Sequence, residues 1–266
     1  MQMQPILNIA FDAARKASKK IMYMYDRLDT VRVHEKDLGY FISDVENEAE
    51  SIIVEVLKEA YPEHSFLCEH SGETIGDPNQ KWIIDSLDGS TNFIHGFPHF
   101  CISIAFKDHN KIEHALIYDP YRQELFTASR GRGAYLNEKR IRVSQCKSMD
   151  KSLIGTGFPV RQKQQLPHFI KMFEAIFPKT SGIRRGGSAV LDLAYIASGR
   201  LDGYWELRLE PWDLAAAVLL IQEAGGLVGD IHGSPQFMEN GHIVAGNPKI
   251  FKALLQTLKP VLDSNH

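Results

Sequence analysis

Trp82-Ile83-Ile84-Asp85-Ser86-Leu87-Asp88-Gly89-Ser90-Thr91-Asn92-Phe93 decides how this chain is read. The apolar run Trp82-Ile83-Ile84 predicts a short buried strand. Asp85 and Asp88 then leave the strand end, and Gly89 allows a sharp turn. Ser90 and Thr91 supply hydroxyls and peptide N–H groups where a helix is expected to begin. Carboxylates hold hard divalent cations, and a Gly-Ser-Thr turn cradles an anion. Together they predict chemistry on a phosphate with Mg²⁺. The plain alternative is an Asx-rich surface turn after a strand.

Three further acidic residues work outward from this stretch. Glu69 ends the apolar run Phe66-Leu67-Cys68, which also reads as a strand. If the two strands are neighbours, Glu69 and Asp85 emerge at one sheet edge. Asp213 stands before the apolar run beginning at Leu214, where Asp is also a favoured N-cap worth about 1 kcal/mol. Glu206 leaves the strand Tyr204-Trp205 and is either a hydroxyl-binding carboxylate or an exposed one.

The surrounding pattern predicts the elements. Helical spacing runs from Pro5 to about Leu28 through Ile6, Ile9, Ala10, Ala13, Ala17 and Met24. Ser43-Asp44-Val45-Glu46 has the form of a capping box opening a second helix, which Pro62 closes. From Ser65 to about Val143 short strands follow one another with short connections, as in an antiparallel sheet. Beyond Ser152 helices and strands alternate, with a last helix from Pro248 to about Leu258, as in an α/β unit. The expected organisation is an α+β half over residues 1–148 and an α/β half over 149–266, with a ligand cleft between them.

Composition narrows the class. The chain has 266 residues, 44% of them hydrophobic and 24% charged, as in an ordinary globular protein. A net charge of −3 gives no bulk attraction to nucleic acid or an anionic membrane. Arg184-Arg185 and Arg130-Gly131-Arg132 read as solvated faces or interface hydrogen-bond donors. Cys68, Cys101 and Cys146 show neither zinc spacing nor a disulfide framework, which predicts a reducing, cytoplasmic setting. Met1–Pro5 shows no signal peptide, and no apolar run is long enough to span a membrane. His95 and His99 are read as ordinary loop residues, because Gly96 and Pro98 interrupt a helix between them. Trp205 and Trp212 are read as core or pocket wall.

Taken together, these segments resemble the inositol monophosphatase family of lithium-sensitive, Mg²⁺-dependent phosphomonoesterases, nearly end to end. The carrying segments are Cys68-Glu69-His70-Ser71-Gly72-Glu73, the stretch 82–93, Gly187-Ser188-Ala189, and Pro211-Trp212-Asp213 with Glu223-Ala224-Gly225-Gly226. Asp119-Pro120, Leu191-Asp192-Leu193-Ala194-Tyr195 and Ala245-Gly246-Asn247-Pro248 look most like its bacterial branch. The resemblance implies an α/β fold, a layered αβαβα sandwich of the sugar-phosphatase type. It implies that Glu69, Asp85 and the Leu87 carbonyl hold one Mg²⁺, and Asp85, Asp88 and Asp213 a second. A third, weaker ion would lie near Glu69. Gly89, Ser90 and Thr91 would hold the phosphate, Glu206 a ring hydroxyl, and Gly187, Ser188 and Ala189 the pocket wall. Inositol-1-phosphate, or a similar small polyol phosphate, is the implied substrate, with water as the nucleophile. Lithium inhibition and a homodimer are implied too. Fructose-1,6-bisphosphate and nicotinamide dinucleotide phosphate are the rival substrates. Close bacterial relatives also act as partners of the transcription antitermination machinery and RNA polymerase, a role separate from catalysis.

Several positions depart from the family pattern. Glu46 stands at the usual Asp that orients the attacking water, and Ser90 replaces the Thr that works with it. Both swaps keep the functional group, but Glu is a methylene longer, and a shift of about 1 Å can cost on the order of 10²-fold. His70 replaces an acidic neighbour of the metal site, which predicts weaker Mg²⁺ binding. Ser86 replaces Pro, which predicts a less preorganised turn. Val190 replaces Ala, which predicts a slightly narrower pocket. Cys68 reads as a buried structural thiol.

Overall fold

The computed structural model describes residues 3–37, 40–160 and 163–263. The chain opens with α1 (Pro5–Tyr25), the hairpin β1 (Val33–Asp37) and β2 (Tyr40–Ser43), and α2 (Asp44–Ala60). Then come β3 (His64–Cys68), β4 (Gly72–Thr74), β5 (Asp77–Asp88) and the short α3 (Ser90–Ile94). A meander follows: β6 (Cys101–Asp108), β7 (Lys111–Asp119), β8 (Glu124–Ser129), β9 (Gly133–Leu136) and β10 (Lys139–Arg140). The second part is β11 (Leu153–Thr156), α4 (Leu166–Ile176), β12 (Gly182–Arg184), α5 (Ala189–Ala197), β13 (Gly203–Glu206) and α6 (Pro211–Glu223). It ends with β14 (Leu227–Gly229), α7 (Phe237–Asn240), β15 (Ile243–Gly246) and α8 (Pro248–Asp263).

Strands β3 to β10 form an eight-stranded sheet in the order β10-β9-β8-β7-β6-β5-β3-β4. It is antiparallel except where β3 runs parallel to β5. Strands β11 to β15 form a mixed five-stranded sheet in the order β12-β11-β13-β15-β14. Successive side chains along a strand point to opposite faces, and because helices cover both faces the central strands are buried without a break. Trp82, Ile84, Ile102 and Ile104 pack on α1 and α2, whereas Ile83, Ala105, Ala115 and Ile117 face α5 and α6. On the smaller sheet Tyr204 and Ala245 face α5 and α6 from the other side, and Trp205 and Val244 pack under α4 and α8. The layers are therefore helix, sheet, helix, sheet, helix, as the family resemblance implies. Helices α5 and α6 sit in the middle, so Leu214 to Ile221 is buried all round.

Some expectations shift. Helix α1 ends at Tyr25, and its buried stripe runs through Leu7, Ala10, Ala13, Ala14, Ala17 and Ile21; Ile6, Ile9 and Met24 are only partly covered. Helix α6 begins at Pro211, three residues before the apolar run, because Pro suits the first helical position. Strands β4 and β12 are too short and polar to show a period.

Candidate active site

The geometry starts from a bulge. Asp85 pairs with Ser103 and Asp88 with Cys101, so β5 has one residue more than β6 between these pairs. Asp85 and Asp88 are an odd number of residues apart and would otherwise point to opposite faces. The extra residue brings both to the face that α5 and α6 cover. Ser86 is fully buried and donates from Oγ to the Glu46 carbonyl at 2.9 Å, pinning the bulge to the first turn of α2. A proline there would lack that bond, so the hydroxyl supplies its own restraint. The Leu87 side chain is buried on the opposite face, and its N–H donates to Asp85 Oδ1 at 2.9 Å.

Two helix starts meet this strand end. Ser188 caps α5 by accepting from the Leu191 N–H and donates its own proton to Asp88 Oδ2. The Val190 N–H donates to the same oxygen at 2.9 Å, so Asp88 sits at a helix N-terminus. The Val190 side chain is buried in the core rather than on the pocket wall, which corrects the expected narrowing. Asp213 is not the N-cap of α6: Glu210 is, and Asp213 closes a capping box by accepting the Glu210 N–H at 2.9 Å. One carboxylate thus serves the helix and the site together.

Oxygens of Asp85, Asp88 and Asp213 lie within 4.8 Å of one another, with Asp85 and Asp213 buried. Burial, then Glu69, Asp88 and Asp213, hold the Asp85 carboxyl well above its ordinary pKa. Such a cluster is unfavourable alone and suits a hard divalent cation with oxygen ligands. Glu69 follows β3, whose Cys68 is level with Ile84 of β5, so it emerges beside Asp85 as predicted. His70 Nε2 stands 3.9 Å from both Glu46 Oε1 and Glu69 Oε2, beyond hydrogen-bond reach. Glu46 is buried in the first turn of α2. The Ser43 side chain, its expected capping partner, lies outside the described residues.

Gly89 adopts φ +91° and caps α3, and a Cβ there would stand 2.8 Å from the His99 carbonyl. Only glycine meets both demands. Beyond it a cavity of about 310 Å³ opens between the two sheets. Asp88, Gly89, Ser90 and Thr91 line one side; Gly187, Ser188, Ala189, Glu206 and Asp213 line the rest. Burial pushes Glu206 up to about 8, although the Tyr204 hydroxyl bonded to its Oε2 pulls the other way. Cys68, beside Glu69, is buried and pushed up to about 12.

Sequence reasoning missed a clasp behind Asp192, which lines the cavity. His99 is buried and its Nε2 lies 3.0 Å from Asp192 Oδ1, so it is no ordinary loop residue. Asp192 also accepts the Gly186 N–H, and Asn92 donates to the carbonyls of His99 and Gly186. A second omission is Glu50, buried on α2, which accepts the N–H groups of His70 and Ser71 and sets the loop after Glu69. Neither carried a signal beyond a polar residue within an apolar pattern. Trp205 is core and Trp212 packs at its edge, as expected.

Layered α/β architecture with an acidic cluster beside an anion-sized turn defines the class: a metal-dependent phosphatase. The sequence matches the inositol monophosphatase family over residues 2–262. It is 53% identical over 265 residues to the Nus factor SuhB of Pseudomonas aeruginosa, covering 98% of each chain. The extragenic suppressor protein SuhB of Bartonella henselae superposes with a TM-score of 0.94 at 40% identity, covering 96% of this chain and 99% of that one. An inositol monophosphatase from Anabaena gives 0.85 at 35% identity, over 96% and 95% of the two chains. The chain belongs to the inositol monophosphatase family.

Proposed function

We propose that this protein is a Mg²⁺-dependent phosphomonoesterase that hydrolyses inositol-1-phosphate or a similar small polyol phosphate. The observation that carries the reading is the convergence of Asp85, Asp88 and Asp213 within 4.8 Å at a cavity of about 310 Å³. Glu69, Asp85 and the Leu87 carbonyl would hold one Mg²⁺, Asp85, Asp88 and Asp213 a second, and a third, weaker ion would lie near Glu69. Bound there, the ions would neutralise phosphate oxygens and lower the pKa of water. The protein's own groups do the positioning. The Gly89 and Ser90 N–H groups and the Thr91 turn hold the phosphate. Glu46 and Ser90 orient the attacking water, Glu46 taking its proton. Ser188 and the Val190 N–H fix Asp88, while Gly187 and Ala189 shape the wall and Glu206 bonds a substrate hydroxyl.

Phosphate release from inositol-1-phosphate across a Mg²⁺ titration tests this, with lithium added at the optimum. Saturable turnover that lithium abolishes is expected; normal turnover in excess chelator sinks the reading. A panel with fructose-1,6-bisphosphate and nicotinamide dinucleotide phosphate ranks the rival substrates by kcat/KM. The homodimer is checked by sedimentation, where a monomer at working concentration refutes it. The division at 148/149 is part of the same reading, since each sheet falls within one part. So is a cytoplasmic location, which two buried free thiols favour.

The relatives' name as Nus factors favours a second role, binding RNA polymerase and antitermination factors. Pull-down from lysate, repeated with Asp88→Asn, is expected to recover these proteins from both forms. Their absence counts against that role. Among the described residues no helix is long and apolar enough to cross a membrane.

A further inference from the structure

Strand β13 carries two side chains on one face, Tyr204 and Glu206, and the period of two sets them side by side. The Tyr204 hydroxyl donates to Glu206 Oε2. Tyr204 is fully buried, in the layer that also holds α5 and α6. Across β11, Gly157 follows Thr156, which is level with Trp205. A Cβ at Gly157 would overlap the Glu206 carboxyl, so this glycine is required by close approach. Tyr204, Gly157 and Glu206 all line the cavity.

We propose that Tyr204 is the positioning residue that makes Glu206 selective for polyols, its hydroxyl occupying Oε2 and leaving Oε1 to a substrate hydroxyl. The inference rests on the polyol-phosphate reading and deepens it. A Glu side chain has three rotatable bonds, and an unheld carboxylate at a pocket wall samples several directions. One hydrogen bond from a buried ring and a bare glycine surface beneath it remove that freedom. Polar recognition is strong only when the partner is fixed, because rejection of the wrong ligand comes from leaving a buried polar group unpaired. The charged groups that face Glu206 are Asp192 on α5, Asp88 on β5 and Arg185 before α5. Arg185 is exposed at the cavity mouth and lies 5.3 Å over the Phe158 ring. Tyr204 is thus the partner that fixes geometry, and the others set the local field.

The test compares kcat/KM for inositol-1-phosphate with that for phenyl phosphate, which has no hydroxyl to recognise, in Mg²⁺-loaded protein. Wild type, Tyr204→Phe, Glu206→Gln and the double variant are measured across pH. In Tyr204→Phe the ratio is expected to fall roughly tenfold, mostly through KM. Adding Tyr204→Phe to Glu206→Gln is expected to change the ratio little, because the two act as one unit. The pH midpoint of the ratio is expected to lie higher in Tyr204→Phe than in wild type, since the Tyr204 hydrogen bond lowers the Glu206 pKa. A ratio and midpoint unmoved by Tyr204→Phe overturn the proposal, as do fully additive effects. A wild type that shows no preference for inositol-1-phosphate refutes the substrate reading itself, which separates the two failures.

Discussion

The floor of the cavity and its far wall are built by different means. On the floor, each carboxylate accepts a backbone donor: the Leu87 N–H on Asp85, the Val190 N–H on Asp88, and the Glu210 N–H on Asp213, with the Ser188 hydroxyl the one side-chain addition, on Asp88. These are strand and helix ends whose donors must be satisfied in any case. On the far wall, the Glu206 carboxyl is held by a side chain, Tyr204, and by the missing Cβ of Gly157. Backbone restraint survives most substitutions, whereas side-chain restraint is lost with one atom. The chemistry of the family therefore sits on the rigid part, and substrate choice sits where single changes can alter it.

The largest expected effect breaks the floor. Asp85→Asn is expected to reduce turnover roughly a thousandfold or more while the fold survives, as read by circular dichroism and phosphate release. Retained turnover would show that Asp85 is not at the reacting centre. Gly89→Ala comes next, since it combines a positive φ with a contact of 2.8 Å. It is expected to cost about 2–4 kcal/mol in denaturant unfolding and to impair phosphate release.

A smaller effect sharpens the electrostatic contrast. Asp85 has a folded pKa raised above its unfolded value of 3.8, and Glu206 is raised from 4.5 to about 8. Each therefore supports the fold fully below its unfolded pKa and loses that support as pH rises through its folded one. Metal-free protein is thus expected to melt lower at pH 8 than at pH 5. Saturating Mg²⁺ at pH 8 is expected to raise Tm by roughly 5 °C, and by little in Asp85→Asn. Glu206→Gln is expected to remove part of the pH dependence and leave the Mg²⁺ response. No Mg²⁺ shift in wild type would contradict a metal site on the floor. The smallest effect concerns thiols. Burial raises Cys68 and Cys101, so at pH 8 native protein is expected to react with iodoacetamide at Cys146 alone. Modification of Cys68 in the native state would show that the region beneath Glu69 opens.

Much of this was legible in residue pattern. The run Trp82-Ile83-Ile84 marked a strand, and the parallel pairing of β3 with β5 puts Glu69 beside Asp85 as the spacing suggested. Asp213 was legible as acidic before an apolar run, but not its place in the capping box, because helix start depends on where Pro211 and Glu210 pack. Val190 misled, since pattern does not tell which way a helix's first turn faces.

Sequence alone determined the alternation of strands and helices, the apolar faces, and the acidic residues at strand ends and before helices. These follow from local rules: period, cap and turn chemistry act within a few residues. Only the tertiary structure decided that a bulge turns Asp88 to the side of Asp85, that two helix starts converge on them, and that His99 grips Asp192. Those outcomes depend on pairing register and layer packing; the helix start at Val190 and the His99–Asp192 contact join residues about a hundred positions apart, and none of them leaves a local trace.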